Sequence, residues 1–357
     1  MIDFSLLPDG GISWLDGSGP VSHIVLSTRT RLARNLRDCV FSIRTTERDR
    51  RQILDSVLKV SLEVPQLSSG ASYEIDNLDQ LDRQILHERH LVSKELAVLE
   101  SMDRPPRHGA LITNGDVGVM VNEEDHLRLQ VLKSGFDLSR AYAEIERLDT
   151  DMGRRLAFAF HPQFGYLTSC PTNAGTGLRA SVLVHLPGLV LTKEIAKVLQ
   201  GLSQVGLTFR GLYGEGSEVV GNFFQLSNQT TLGKSEEELL DQLGKIVQQV
   251  VEYEEEARRI LQRDAPIVMA DKVWRAYGLL RYARSLSFDE TMNLLSGVRL
   301  GVGLSLIEGV SIYTLNKLLI FTQPGHLVLA EGRELADGDL SYVRADYVRA
   351  ALEVDAA

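Results

Sequence analysis

The stretch ALITNGDVGVMVNEEDHLRLQVL, Ala110 to Leu132, holds two alternating apolar runs separated by Asn-Gly. Alternation with period two marks a strand buried on one face, and Asn-Gly between two such runs is the strongest short-range hairpin signal. The spacing predicts a strand, a turn centred on Asn114-Gly115, a second strand and a charged exit at Asn122 to His126. Hairpin-joined strands pair antiparallel, so a sheet grown from this unit is expected to be largely antiparallel.

The rest of the chain fits that expectation. HIVLSTRTRLARN (His23 to Asn35) opens as an apolar strand and turns basic. RLAFAFHPQFGYLTSCPTNAGTGLRASVLVHLPGL reads as strand, loop, strand, and GLTFRGLYGEGSEVVGNFFQLSNQT as strand, glycine-rich loop, strand. Helices are predicted from near Thr46, within Asp79 to Leu96, from about Gly135 to Leu148, and over Leu191 to Gln204 with Thr192 as cap. Ser235 to Glu238 has the form of a capping box, and Leu239, Leu243, Ile246, Val247 and Val250 form one apolar side of the long helix that follows. Pro266 should end it.

Beyond that point the pattern is mostly helical. The division expected is an N-terminal segment 1–22, a sheet-bearing domain 23–263 and a smaller helical domain 264–357. Strands and helices do not alternate as βαβ units, so the fold class is α+β: a largely antiparallel sheet with helices on one face, then the helical domain.

Composition is that of a globular protein, 44% hydrophobic and 24% charged over 357 residues. A net charge of -10 argues against direct nucleic-acid binding. Two cysteines, Cys39 and Cys170, make no disulfide framework. No apolar run reaches the roughly 18 to 20 residues of a membrane span. MIDFSLLPDG lacks the basic start of a signal peptide, so a cytoplasmic protein without membrane contact is expected.

Arginines gather where strands end. Arg29 and Arg31 lie two apart in an extended segment, hence on one face, and Arg34 follows; Arg128, Arg179 and Arg210 each sit at a strand edge. Their planar forks suit phosphate oxygens, although as single residues they also read as solvated salt-bridge partners. No Walker A sequence is present, so a nucleotide site here would be built from arginine.

Glu123, Glu124 and Asp125 cluster after a strand: a solvated hairpin end, or carboxylates aimed at an acceptor. A guanidinium acceptor needs such a group, because it is a poor nucleophile while protonated. Glu215 in GLYGEG offers a second clamp on a glycine-rich loop. Cys170 precedes Pro171, which favours an extended backbone; it is an inert buried thiol or a thiolate favoured by nearby arginines, and Cys39 reads as structural. The eight histidines have no metal-ligand spacing, so no protein metal site is expected, and Mg²⁺ would arrive with the nucleotide.

STRTRLAR, NEEDHLR, CPTNAGTGLRASV and RGLYGEG occur here in the order seen in the ATP:guanidino phosphotransferases, the phosphagen kinases. The resemblance covers roughly residues 20 to 255. It implies the phosphagen kinase, glutamine synthetase-like catalytic fold, with ATP and Mg²⁺ as cofactors. By matching motifs, Ser27, Arg29 and Arg31 would contact ATP phosphates and Arg128, Arg179 and Arg210 complete the cage. His90 in ERHLVS would lie beside the adenine or ribose. Glu124 matches the catalytic base, Glu123 and Asp125 would support it, with metal-bound water as one route, and Cys170 and Glu215 would contact the guanidinium.

The chain departs from creatine and arginine kinases in two ways. Arg29 comes almost at once, where those enzymes carry a preceding helical domain with a loop that clamps a small guanidino acid, and the helical part after Asp264 is extra. An acceptor pocket open on one side is expected to admit an arginine side chain of a protein. Both features resemble the bacterial protein-arginine kinases of the stress response and protein quality control. That resemblance implies a homodimer, protein substrates with accessible arginine, among them a transcriptional repressor and Clp protease components, and an activator protein. It also implies a phosphoarginine site through an RDxxRA motif. Here the segment is ADYVRA, Ala345 to Ala350: Asp346 and Arg349 match, Ala345 replaces the first arginine, and Arg344 is one residue out of register. The rival readings are a kinase for free arginine or another small guanidino compound, and a non-catalytic phosphoarginine-binding adaptor.

Overall fold

The structure, a computed structural model, describes residues 2, 12–41, 44–97, 108–212 and 219–355. Its strands are β1 (Val25–Arg34), β2 (Ala71–Glu74), β3 (Ala110–Asn114), β4 (Val117–Val121), β5 (Leu127–Ser134), β6 (Phe160–His161), β7 (Gly165–Tyr166), β8 (Leu178–His185), β9 (Leu207–Arg210) and β10 (Phe223–Asn228). The hairpin forms between β3 and β4 with its turn one residue later than expected. Asn114 pairs with Val117, so Gly115 and Asp116 make the turn. Gly115 takes the left-handed φ of 57° that a glycine adopts at no steric cost.

Eight strands join one sheet in the order β2-β3-β4-β5-β1-β8-β10-β9, and every pair is antiparallel. β6 and β7 make a separate two-stranded hairpin. The sheet's two faces differ because side chains alternate. Leu32, Leu129, Val131 and Leu178 point to one face and join a core with residues of α1 (Glu47–Ser61) and α4 (Leu138–Gly153). Thr46 caps α1 through a reciprocal box with Asp49, and Ile53 and Val57, four apart, are both buried.

The remaining helices are α2 (Gln80–Glu88), α3 (Lys94–Ala97), α5 (Pro187–Leu191), α6 (Ile195–Gln204), α7 (Glu236–Asp264), α8 (Pro266–Tyr282), α9 (Phe288–Gly303), α10 (Ile312–Phe321), α11 (Pro324–Glu331) and α12 (Asp337–Asp355). The capping box at Ser235 and Glu238 starts α7. Leu243, Val247 and Val250 of α7 then cover Val182, Val184 and Leu226 on the same sheet face. Thr192 does not cap α6. It closes α5, its hydroxyl donating to the Gly188 carbonyl at 2.9 Å, because an extra short helix precedes α6.

Pro266 begins α8, where its missing N–H costs nothing. The helices from α8 onward form the smaller domain, with a core of their own that takes in Leu26, Leu183 and Phe223 from the opposite sheet face. Trp14 and Leu15 pack on Leu132 and Ile320 at another part of that face. The face is thus walled at its margins, leaving β1, β5 and β8 to floor a recess.

The loop before β8 is held by glycines. Gly177 has φ 66°, and a Cβ there would lie 2.7 Å from both the Ala33 carbonyl oxygen and an Arg34 guanidinium nitrogen. Gly177→Ala is expected to destabilise the fold by about 1 to 3 kcal/mol. Chemical denaturation that placed the variant at wild-type stability would contradict this packing.

Candidate active site

β1 places Arg29 and Arg31 on the recessed face. Arg31 stands directly across from Arg179 on β8, and Arg29 from Ser181. On the other flank Arg128 of β5 pairs with Ala33, and Gln130 with Arg31. Arg210 of β9 pairs with Gln225 of β10, which pairs with Leu183 and so lies in the row of Ser27. Registry therefore brings all five of these arginines to one face, whereas Arg34 points to the other. There it forks onto Asp149 of α4 with two 2.9 Å bonds, and its guanidinium carbon lies 3.4 Å over the Tyr166 ring. The even-odd alternation of β1 already separates Arg34 from Arg29 and Arg31.

Crowded like charges in a partly buried recess destabilise one another. Burial, then Arg128 and Arg179, lowers the Arg29 pKa to about 10. Burial and the neighbouring arginines push Arg31 well down too, and Glu123 only partly opposes them. Among the described residues nothing hydrogen-bonds the buried Arg31 Nε. A face with this surplus of cationic donors fits a polyanion such as a triphosphate.

Beside Arg29 an open pocket is lined by Trp14, Ser27, His90, Leu132, Ser181, Leu183, Leu212 and Gln225. His90 stands edge-on to Trp14 with ring centroids 5.4 Å apart, and Gln130 Nε2 donates to its carbonyl at 2.9 Å. The backbone there is left-handed, φ 60°. Burial, then Arg29, His87 and Arg31, keeps His90 neutral by lowering its pKa well below the usual value. Trp14, Ser181 and Gln225 escaped the sequence reading. The alternation of β8 and β10 marks the last two; Trp14 lies far from any motif.

The turn between β4 and β5 carries the carboxylates. Arg128 donates to Glu123 at 2.6 Å and to Glu124 at 3.1 Å. Burial works against the charge of Arg128, but Glu123, Glu124 and Asp125 outweigh it and raise its pKa. Glu123 is buried, while the Glu124 side chain is 42% exposed. Burial raises the Glu124 pKa; Arg128 opposes this, and Asp125 and Glu123 add to it.

Asp125 turns inward. Its Oδ1 accepts from Asn35 Nδ2 at 2.7 Å and from the Ser169 N–H at 2.6 Å. It thereby ties the 169–177 loop to the carboxylate turn. In that loop Cys170 is extended, as Pro171 requires, with Sγ 3.0 Å from Thr172 Oγ1. Asn173, which lies in the CPTNAGTGLRASV motif but carried no assigned role, donates to Glu124 at 3.4 Å.

Glu215 lies outside the described residues. Asp346 and Arg349 pair with each other on α12, which packs mainly on α8, α10 and α11. Arg344 is buried and donates to the Thr322 and Leu286 carbonyls at 2.8 and 3.0 Å. Among the described residues no helix is long and apolar enough to cross a membrane.

Residues 35–257 match the family model described as ATP:guanido phosphotransferase, C-terminal catalytic domain, and 266–357 match the protein-arginine kinase McsB C-terminal domain. The protein-arginine kinase of Symbiobacterium thermophilum is 45% identical over 342 residues, 95% of this chain and 96% of that protein. That of Bacillus cereus is 42% identical over 346 residues, 96% of each chain. The chain belongs to the protein-arginine kinases of the phosphagen kinase family. Among solved structures, the duplicated taurocyamine kinase of Schistosoma mansoni with bound transition-state analogue components aligns with TM-score 0.59 and 26% identity, over 71% of this chain and 35% of that one. Lombricine kinase aligns with TM-score 0.57 and 23% identity, over 71% and 70%.

The phosphagen kinase fold implies ATP- and Mg²⁺-dependent phosphotransfer, and the arginine face gives a physical test. In wild type, inorganic triphosphate at about a hundred times its Kd should stabilise the fold by roughly 2.7 kcal/mol. Arg31→Met should raise the melting temperature without ligand, by removing a buried like charge, and lose most of the triphosphate response. Equal ligand shifts in both proteins would remove Arg31 from anion binding.

Proposed function

We propose that the protein transfers the γ-phosphoryl group of ATP to the guanidino group of arginine residues in proteins, giving phosphoarginine and ADP. The observation that carries this reading is the contact between two half-sites of opposite sign. Arg128, part of the cationic face, bonds directly to Glu123 and Glu124 of the carboxylate turn. A phosphoryl donor on one side and a guanidinium on the other would meet there. The near full-length likeness to protein-arginine kinases supports the protein-bound acceptor.

In this mechanism Ser27, Arg29, Arg31, Arg128, Arg179 and Arg210 hold the triphosphate, with His90 and Trp14 beside the base or ribose. Glu124 orients the acceptor guanidinium and takes its proton, one guanidino nitrogen forms the P–N bond in line, and the γ-phosphorus–oxygen bond breaks with its electron pair leaving on ADP. Cys170 and Glu215 complete the acceptor side. Asp125 acts as a positioning residue through Ser169 and Asn35. The phosphates would supply the main ligands of Mg²⁺. When bound, Mg²⁺ neutralises phosphate charge.

The same reading extends to partners: arginine-bearing substrates such as a transcriptional repressor and Clp protease components, an activator protein, and phosphoarginine at Asp346 and Arg349. A homodimer is supported by the outer face of α8, which exposes Ile267, Trp274 and Tyr282 at 83%, 52% and 74%. Trp274→Glu is expected to shift the protein to monomer in sedimentation; unchanged association would clear α8 of that role.

Phosphosite mass spectrometry at neutral to mildly basic pH, which spares the acid-labile P–N bond, should find phosphoarginine on an unfolded basic protein. Glu124→Gln should lower kcat by about 100- to 10,000-fold. Because the Glu124 pKa is raised, the proton acceptor is lost as pH falls through that raised value. The acid limb of kcat/KM, which reports the free enzyme, should therefore lie above the ordinary carboxylate range and vanish in the variant. Transfer to free arginine alone, or equal phosphorylation by both enzymes, would refute the substrate class or the base.

A further inference from the structure

Helix α2 ends in a corner that feeds the pocket beside Arg29. His90 N–H donates to the His87 carbonyl at 2.8 Å and Leu91 N–H to the Leu86 carbonyl at 3.0 Å, the two-bond helix end that usually closes on a left-handed glycine. Here the left-handed residue is His90, φ 60°. A side chain in that conformation persists only where its surroundings over-determine it. After His90 the restraint is Gln130, whose Nε2 donates to the His90 carbonyl at 2.9 Å. Before His90 it comes from the helical domain.

Glu88 and Arg89, the two residues before His90, are buried, and both bond the buried imidazole of His326 in α11. Arg89 Nε can only donate, so His326 Nε2, 3.0 Å away, accepts. The neutral ring then has its proton on Nδ1, which donates to Glu88 at 2.7 Å. Burial keeps the ring neutral by lowering its pKa, against the pull of Glu88. Glu88 also accepts from the Gly325 and His326 N–H groups in the first turn of α11. A Cβ on Gly325 would lie 2.9 Å from Glu88 Oε2, so the helix end meets the carboxylate with no room for a side chain. Phe321 closes the corner, edge-on to His326 at 5.1 Å. One uncharged ring thus serves a buried anion and a buried cation adjacent in sequence, and an apolar residue in its place would leave both without that partner.

We propose that His326 is a positioning residue for ATP: by bridging Glu88 and Arg89 it holds the corner of α2, and with it the His90 ring, in the form that receives the nucleoside. The inference rests on His90 lying beside the base or ribose, as proposed above. The residues that line the pocket all come from the chain before Asp264, so His326 acts through the corner and not by contact. The arginines of the cationic face are placed by the registry of β1, β5, β8 and β9, which does not pass through α11. Loosening the corner therefore lowers the fraction of molecules ready for the nucleoside and leaves the phosphate end alone. By this route the helical domain sets nucleotide affinity.

The test measures Kd for ATP and for inorganic triphosphate by titration calorimetry on the full-length protein. His326→Phe keeps a ring against Phe321 and removes both nitrogens. It should raise the ATP Kd about tenfold, as when the competent fraction falls to about a tenth, with the triphosphate Kd held within about twofold. His90→Ala should raise the ATP Kd by a similar factor. Adding His326→Phe to it should raise that Kd at most about twofold further, because the loss acts through His90. Gly325→Ala leaves the imidazole in place and displaces Glu88; it should give the same split, and it decides the matter if His326→Phe does not fold. Equal losses of ATP and triphosphate affinity would make His326 a structural residue only, and losses that multiply in the double variant would place its effect away from His90. Either overturns the proposal, as does a wild-type ATP Kd in the folded variants. If His90→Ala itself leaves ATP affinity unchanged, the placement of His90 beside the nucleoside fails first and the proposal with it.

Discussion

Arg29 and Arg31 share one face of the central strand with Arg179 across from Arg31, and burial drives down the pKa of the first two. Like charges in a recess oppose folding, so something else must hold β1, β5 and β8 in register. The other face of the same strands does so. Leu32, Leu129, Leu178 and Val182 are fully or almost fully buried under α1, α4 and α7. One alternating strand thus carries the anion-seeking side chains and the apolar side chains that stabilise their placement. A one-residue slip would exchange the two sets, which makes registry strongly specified.

The carboxylate turn balances part of that charge. Glu123 is buried against Arg128, while Glu124 keeps nearly half its surface free to meet another group. Asp125 faces inward and pulls the 169–177 loop against the turn through Ser169. Three adjacent acidic residues therefore have three distinct environments. The divergence follows from a tight turn: Asn122 is left-handed, φ 56°, and its N–H bonds the His126 carbonyl at 3.0 Å, so the intervening side chains fan out.

The helical domain bears on the same recess from outside. Glu88 at the end of α2 accepts from the Gly325 and His326 N–H groups at 2.9 and 3.1 Å and from His326 Nδ1 at 2.7 Å. Arg89, next in the chain, donates to His326 Nε2 at 3.0 Å, and His90 follows at the pocket wall. The seam between the domains is thus built into the frame of the pocket, not hung on a flexible linker.

Alternation and turn chemistry made the antiparallel sheet, the capped helices α1 and α7 and the shared face of Arg29 and Arg31 legible in the sequence, because these depend on neighbours a few residues apart. Even the error at the first hairpin was a single residue, since Asn-Gly marks a turn more firmly than its centre. The grouping of Arg34 with the other arginines failed because proximity in sequence was weighed above strand parity. Thr192 was misassigned because a five-residue helix leaves no periodic signature. What tertiary structure alone decided is which distant residues meet: Trp14 beside His90, Asn173 at Glu124, and Asp125 on the Ser169 loop. Those contacts join segments tens of residues apart across a sheet, and no local preference encodes a partner that only the packed strands bring into reach.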